Sequence, residues 1–158
     1  MKIHLKDNKI ALYDIESDYR QYLFQYDFRV NLKSGRRFVG IIVGIESWLS
    51  AEEHMYIIDK VQSPNLKVYY DVANSEKMGY DIYNEIRWLG SKNRICEFHF
   101  KENGFLLGKG RIDFKEVKKC MEDIDYRGNI QIEGAIPDGS TMLPSYKLNN
   151  QFVRSLLS

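Results

Sequence analysis

From Val39 onward the chain alternates four times between a short apolar run and a segment whose apolar residues recur at helical spacing. The runs VGIIVGI, LKVYYDV, RICEFHF and NIQIE are short and rich in β-branched or aromatic residues, which suits strands. VGIIVGI is apolar throughout, as expected of a strand buried on both faces. The intervening segments are long enough to act as helical crossovers, and crossovers between adjacent strands make them parallel with right-handed connections. The expected fold class is therefore α/β: four parallel βα units over residues 39–158, with helices on the outer face of the sheet.

Local signals mark the units. Ser50 and Glu53 have capping-box spacing, and Met55, Ile58 and Val61 share one helical face before Ser63-Pro64-Asn65 ends the segment. A polar loop is expected from Asp71 through Met78-Gly79. A helix bearing Ile82, Ile86 and Leu89 follows, with Gly90 as its terminating residue. Asp113 and Glu116 open a helix with a Val117, Cys120, Met121 and Ile124 stripe. Gly128 precedes the fourth strand. A Gly/Pro/Ser loop then spans Gly134 to Ser145, and a last helix carries Phe152, Val153, Leu156 and Leu157. Residues 1–38 depart from this rhythm and form a separate N-terminal segment. They are compatible with two short strands around Asp7-Asn8, an aromatic helix carrying Tyr19, Tyr22, Leu23 and Tyr26, and a hairpin across Ser34-Gly35.

Composition narrows the function classes. With 23 basic and 22 acidic residues among 158, the chain has no electrostatic footprint for nucleic acid. No apolar stretch reaches the ~20 residues needed to span a bilayer, and charges interrupt the N-terminus where a secretion signal would be apolar. No membrane partner and a cytoplasmic location are the expectations. Cys96 and Cys120 lack metal or redox spacing and read as small core residues.

Chemistry-bearing side chains recur where the strands stop: Glu46, Asp71, His99 and Glu133. In parallel α/β architectures these ends share one rim, where active sites form. Two glutamates, an aspartate and a histidine there suit a hard or borderline divalent cation. Each also has a bland reading. Asp71 fits a helix or turn cap, His99 a hydrogen-bonded core residue, and the glutamates partners of loop backbone or a nearby cation. His4 and His54 have no such company, and His54 is expected on the solvated face of a helix. Gly108 and Gly110 lack phosphate-loop spacing and read as a turn requiring positive φ. Trp48 fits either a pocket wall or packing beneath the rim.

The motifs GIESW, YYDVAN, EFHFKE followed by LGKG, and IQIEG resemble the C-terminal half of the sugar phosphate isomerase/epimerase family, whose fold is the xylose isomerase-like TIM barrel. The resemblance runs from about residue 39 to 158 and rests on four motifs in order at βα spacing. It implies strands five to eight of a (β/α)8 barrel, with Glu46, Asp71, His99 and Glu133 as ligands of one divalent metal ion (Mn2+, Mg2+ or similar). Asn74 stands three residues after the aspartate, where family members direct a side chain at substrate. Lys101 matches the basic residue of an H-x-K-D motif in which Glu102 replaces the aspartate.

What the resemblance implies is a metal-dependent isomerase or epimerase of a ketose or sugar phosphate. Glu46 and Glu133 would move a proton on opposite faces through an enediolate, and Asn74, Lys101 and Trp48 would contact the sugar. A complete barrel needs ~250 residues, so this chain corresponds to an incomplete one. A half-barrel leaves two sheet edges, and a homodimer or a separate half-barrel partner would cover them. Two alternatives stay open: an inactive metal-binding remnant of the family, and a metal-dependent phosphodiesterase resembling endonuclease IV. The latter uses more histidines than the three present here.

Overall fold

The structure, a computed structural model, describes residues 3–6, 9–12, 42–134 and 136–158. The expected aromatic helix and the Ser34-Gly35 hairpin lie outside these. Strands β1 (Ile3–Lys6) and β2 (Lys9–Leu12) pair antiparallel, as the N-terminal pattern suggested. The remaining strands β3 (Val43–Ile45), β4 (Leu66–Asp71), β5 (Ile95–Phe100) and β6 (Asn129–Ile132) form one parallel sheet in sequential order. Among the described residues the helices are α1 (Ala51–Val61), α2 (Val72–Lys77), α3 (Ile82–Ser91), α4 (Phe114–Asp123) and α5 (Met142–Leu157). None is long and apolar enough to cross a membrane.

The period of two along a strand divides the sheet into two chemically different faces. Val68, Tyr70, Phe98 and Phe100 are fully or almost fully buried in the core with Ile58, Ile86, Leu89, Phe114 and Val117 of the helices. Aromatic rings run through this layer. Phe98 meets Tyr126 edge-on at 4.8 Å, and Phe100, Phe114 and Phe152 follow in sequence at 5.1 and 5.7 Å. Burying each such ring contributes roughly 1.5–3 kcal/mol. The alternate residues Tyr69, Asp71, Glu97 and His99 therefore belong to the opposite face, and their last members reach the rim.

Several local expectations are corrected. Of VGIIVGI the described part is Ile42–Ile45, and it is not buried on both faces: Val43–Ile45 is strand at the edge of the described sheet, and Ile42 and Val43 are exposed. The segment after Asp71 is helix α2 rather than a loop, because the Asp71 carboxylate caps it. Gly90 lies within α3 rather than beyond its end; Asn93, at φ +53°, takes the left-handed position. A Cβ on Gly90 would meet the Ile124 side chain at 2.5–2.7 Å, so the glycine serves close helix packing. Helix α5 begins at Met142, three residues before the expected loop end, and Leu157 is exposed at its C-terminus. Cys120 is buried as expected. Cys96 is only half-buried, because the register between β4 and β5 skips it (Val68 pairs with Ile95, Tyr69 with Glu97).

A candidate metal centre at the strand ends

Parallel pairing sets Asp71 directly beside His99 in the β4–β5 register. Glu133 continues the β6 ladder, its amide donating to the Phe100 carbonyl at 3.0 Å. Glu46 follows β3 by one residue. One ligand atom from each of Glu46, Asp71, His99 and Glu133 lies within 4.8 Å of all the others. The four residues predicted from strand ends thus converge on one point.

The aspartate has two jobs, one for each oxygen. Its Oδ1 accepts from the Ala73 and Asn74 amides, both at 2.9 Å, and so caps α2. Its Oδ2 is buried and makes no hydrogen bond. His99 Nδ1 lies 3.3 Å from Glu46 Oε1, whereas its buried Nε2 makes no hydrogen bond. Lys101 Nζ forms a close ion pair with Glu133 Oε2 at 2.7 Å and lies 3.8 Å from Asp71 Oδ2. Burial raises the Asp71 pKa, opposed by the α2 amides and Lys101. Contact with Lys101 lowers that of Glu133. Burial alone would lower the Lys101 pKa, yet Glu133, Asp71 and Glu46 together raise it. Below the cluster the Tyr69 ring packs 5.2 Å from His99, and burial with the surrounding carboxylates pushes its hydroxyl up to about 12.

This donor set fits a divalent cation. Three carboxylates and an imidazole share one point with a single ammonium, that of Lys101, and buried Asp71 Oδ2 and His99 Nε2 still lack a hydrogen bond, a balance a divalent cation would complete. Glu46, Asp71, His99 and Glu133 would hold it.

A cleft of about 340 Å³ adjoins the cluster, lined by Glu46, Ser47, Trp48, Leu49 and Asn74. Trp48 is exposed on its wall, with the Lys77 ammonium 5.2 Å from the ring. Asn74 is 5% exposed and its Oδ1 has no partner. Lys101 is placed among the ligands rather than along this cleft.

Sequence reasoning missed the groups that hold the rim. His54, expected in solvent, is buried, because the β3–α1 loop folds back over the first turn of α1. Glu85 accepts from the Ala51 amide and the Tyr70 hydroxyl, both at 2.7 Å, and thereby ties α1 to β4. Glu102 is buried and accepts from the Arg111 and Ile112 amides at 3.2 and 3.4 Å, anchoring the loop beyond His99. Gly108 has the positive φ expected (+73°). Gly110 does not; its role is space, since a Cβ there would collide with the Glu102 carboxyl. Asn149 accepts from the Leu107 amide at 2.9 Å. The Ser50–Glu53 capping box signals that the His54 side chain starts beside the loop; Glu85, Glu102 and Asn149 carry no such signal.

The comparisons agree with this geometry. A D-psicose 3-epimerase of Enterocloster bolteae is 25% identical over 108 residues, covering 68% of this chain and 35% of that protein. The structure of an L-ribulose 3-epimerase superposes with a TM-score of 0.58 at 20% identity, covering 68% of this chain and 41% of the other. A xylose isomerase domain protein from Planctomyces limnophilus gives 0.57 at 18% identity, covering 70% and 42%. At these identities the structural likeness establishes the fold, and the chain spans less than half the length of each relative. The family profile for the xylose isomerase-like TIM barrel matches residues 31–146. With that match over most of its length and four parallel strands ending at one cluster, the chain belongs to the xylose isomerase-like TIM barrel family.

Proposed function

We propose that this chain binds one divalent cation through Glu46, Asp71, His99 and Glu133 and acts on a small sugar as an isomerase or epimerase. The observation that carries this reading is the convergence of these four side chains, with Asp71 Oδ2 and His99 Nε2 buried and without a hydrogen bond, beside a cleft of sugar size. The similarity to a D-psicose 3-epimerase supports the substrate class. A bound cation would supply Lewis-acid polarisation of the sugar carbonyl. Glu46 and Glu133 would take and return a proton at the carbon beside that carbonyl, from opposite faces. Asp71 and His99 would fix the ligand geometry. Lys101, Asn74 and Trp48 would orient the sugar, the first through its ammonium and the last through its exposed ring.

The test couples metal analysis to exchange. Mn2+ titration should give one site, lost in His99→Ala, and the loaded protein should exchange a carbon-bound proton of D-fructose in D2O. Absence of stoichiometric metal binding would refute the site. One bound Mn2+ without exchange on any ketose of a panel would overturn the isomerase reading and leave the metal site standing.

A further inference from the structure

Ser47 and His54 form a hydrogen-bonded pair that the four-ligand site does not use. His54 Nδ1 lies 2.9 Å from the Ser50 carbonyl oxygen, which can only accept. Nδ1 therefore carries the proton, and in the neutral ring Nε2 is an acceptor. Ser47 Oγ lies 2.9 Å from Nε2, so the serine hydroxyl donates to it. The same oxygen accepts from the Leu49 amide at 3.1 Å. A hydroxyl oxygen has one proton and two acceptor positions, so one acceptor position of Ser47 is left, on a residue that lines the cleft. Burial lowers the His54 pKa, which keeps the ring neutral at neutral pH.

Asn74 supplies an independent sign that the cleft is built for a polar ligand. It lines the same cleft, is 5% exposed, and holds an Oδ1 with no protein partner. A buried amide oxygen without a hydrogen bond is unfavourable, and a polar ligand group could satisfy it.

We propose that Ser47 is a ligand-contacting residue that accepts a hydrogen bond from a hydroxyl of the bound molecule, and that His54 positions it by holding its proton. This inference rests on the sugar reading given above and adds a specificity contact to it. His54 acts only through Ser47. A ring that released the hydroxyl proton would turn the same oxygen from an acceptor into a donor toward the cleft.

The experiment uses the full chain loaded with Mn2+, titrated calorimetrically with D-fructose and with its monodeoxy analogues. One deoxy analogue should bind wild type about tenfold more weakly than D-fructose, and Ser47→Ala should not distinguish the two. Ser47→Ala and His54→Asn should each weaken D-fructose about tenfold, and the double variant no further, because both remove one coupled contact. Asparagine keeps a donor for the Ser50 carbonyl, so Mn2+ affinity and urea stability of His54→Asn should stay close to wild type. A purely structural pair would lower those instead and leave the deoxy series flat. Nitrogen-detected imidazole NMR should find His54 in the Nδ1–H form. If wild type binds D-fructose and no deoxy analogue discriminates it from Ser47→Ala, the contact is refuted while the sugar reading stands. If Mn2+ binds but neither D-fructose nor another ketose does, both fall.

Discussion

The Lys101 ammonium sits 2.7 Å from Glu133 Oε2 and 3.8 Å from Asp71 Oδ2, so a fixed positive charge is already inside the cluster that would take a cation. Two unit charges 4 Å apart interact by ~4 kcal/mol at an effective dielectric near 20. Lys101 is partly exposed, so only a fraction of that applies. Lys101→Met should tighten Mn2+ binding by about tenfold or more in calorimetry, while weakening the sugar. Unchanged or weaker metal binding would show that the ammonium swings clear of the ligands.

Asp71 separates its cap from its free oxygen. Asp71→Asn keeps a capping oxygen and should hold metal-free stability within about 1 kcal/mol of wild type, yet cost most of the metal affinity. Asp71→Ala loses the cap as well and should unfold about 0.5–2 kcal/mol more easily. Urea unfolding in chelator, set beside metal titration, distinguishes the two oxygens. Equal stability of both variants would mean the cap is worthless here.

Glu102 gives the fold a pH dependence with a definite sign. Burial raises its pKa above the ordinary 4.5, against the opposing Ile112, Arg111 and Gly110 amides. The folded chain then binds more protons than the unfolded chain, so the contribution of this group is present at low pH and is lost as pH rises from about 4.5 through the raised value. Glu102→Gln keeps an acceptor for the Arg111 and Ile112 amides and cannot ionise. Its stability relative to wild type should therefore increase between pH 4 and pH 8. A difference that stays constant over that range would show that Glu102 ionises in the fold as freely as in the unfolded chain.

Gly90 decides between two opposed effects. In an exposed helix, replacing glycine by alanine gains about 1 kcal/mol. Here the new methyl would meet Ile124 at 2.5–2.7 Å. Gly90→Ala should lose about 1–3 kcal/mol, as overpacking does, and adding Ile124→Val should recover part of it. Thermal unfolding of the single and double variants checks this, and a stabilised single variant would refute the packing role.

The sequence by itself determined the order of the βα units, the parallel sheet and the four side chains that meet at the strand ends. Each depends on information local to the chain: where an apolar run stops, which residue follows it, and whether the next segment can cross back. Period-two alternation at Asp71, His99 and Glu133 then places all three on one face at one rim, which is why a site made by distant residues was legible. Only the tertiary structure decided the supporting contacts. Glu85 meets Ala51 across 34 positions, Glu102 meets a loop ten residues on, and Asn149 reaches back to Leu107. Such partners depend on how helices seat against the sheet, and a polar residue inside a helix looks the same in sequence whether it faces water or a buried amide. His54 shows the same limit at short range. Its helical position follows from the sequence, but its burial depends on the path of the Ser47–Leu49 turn, where the Ser47 hydroxyl joins the His54 ring to the Leu49 amide.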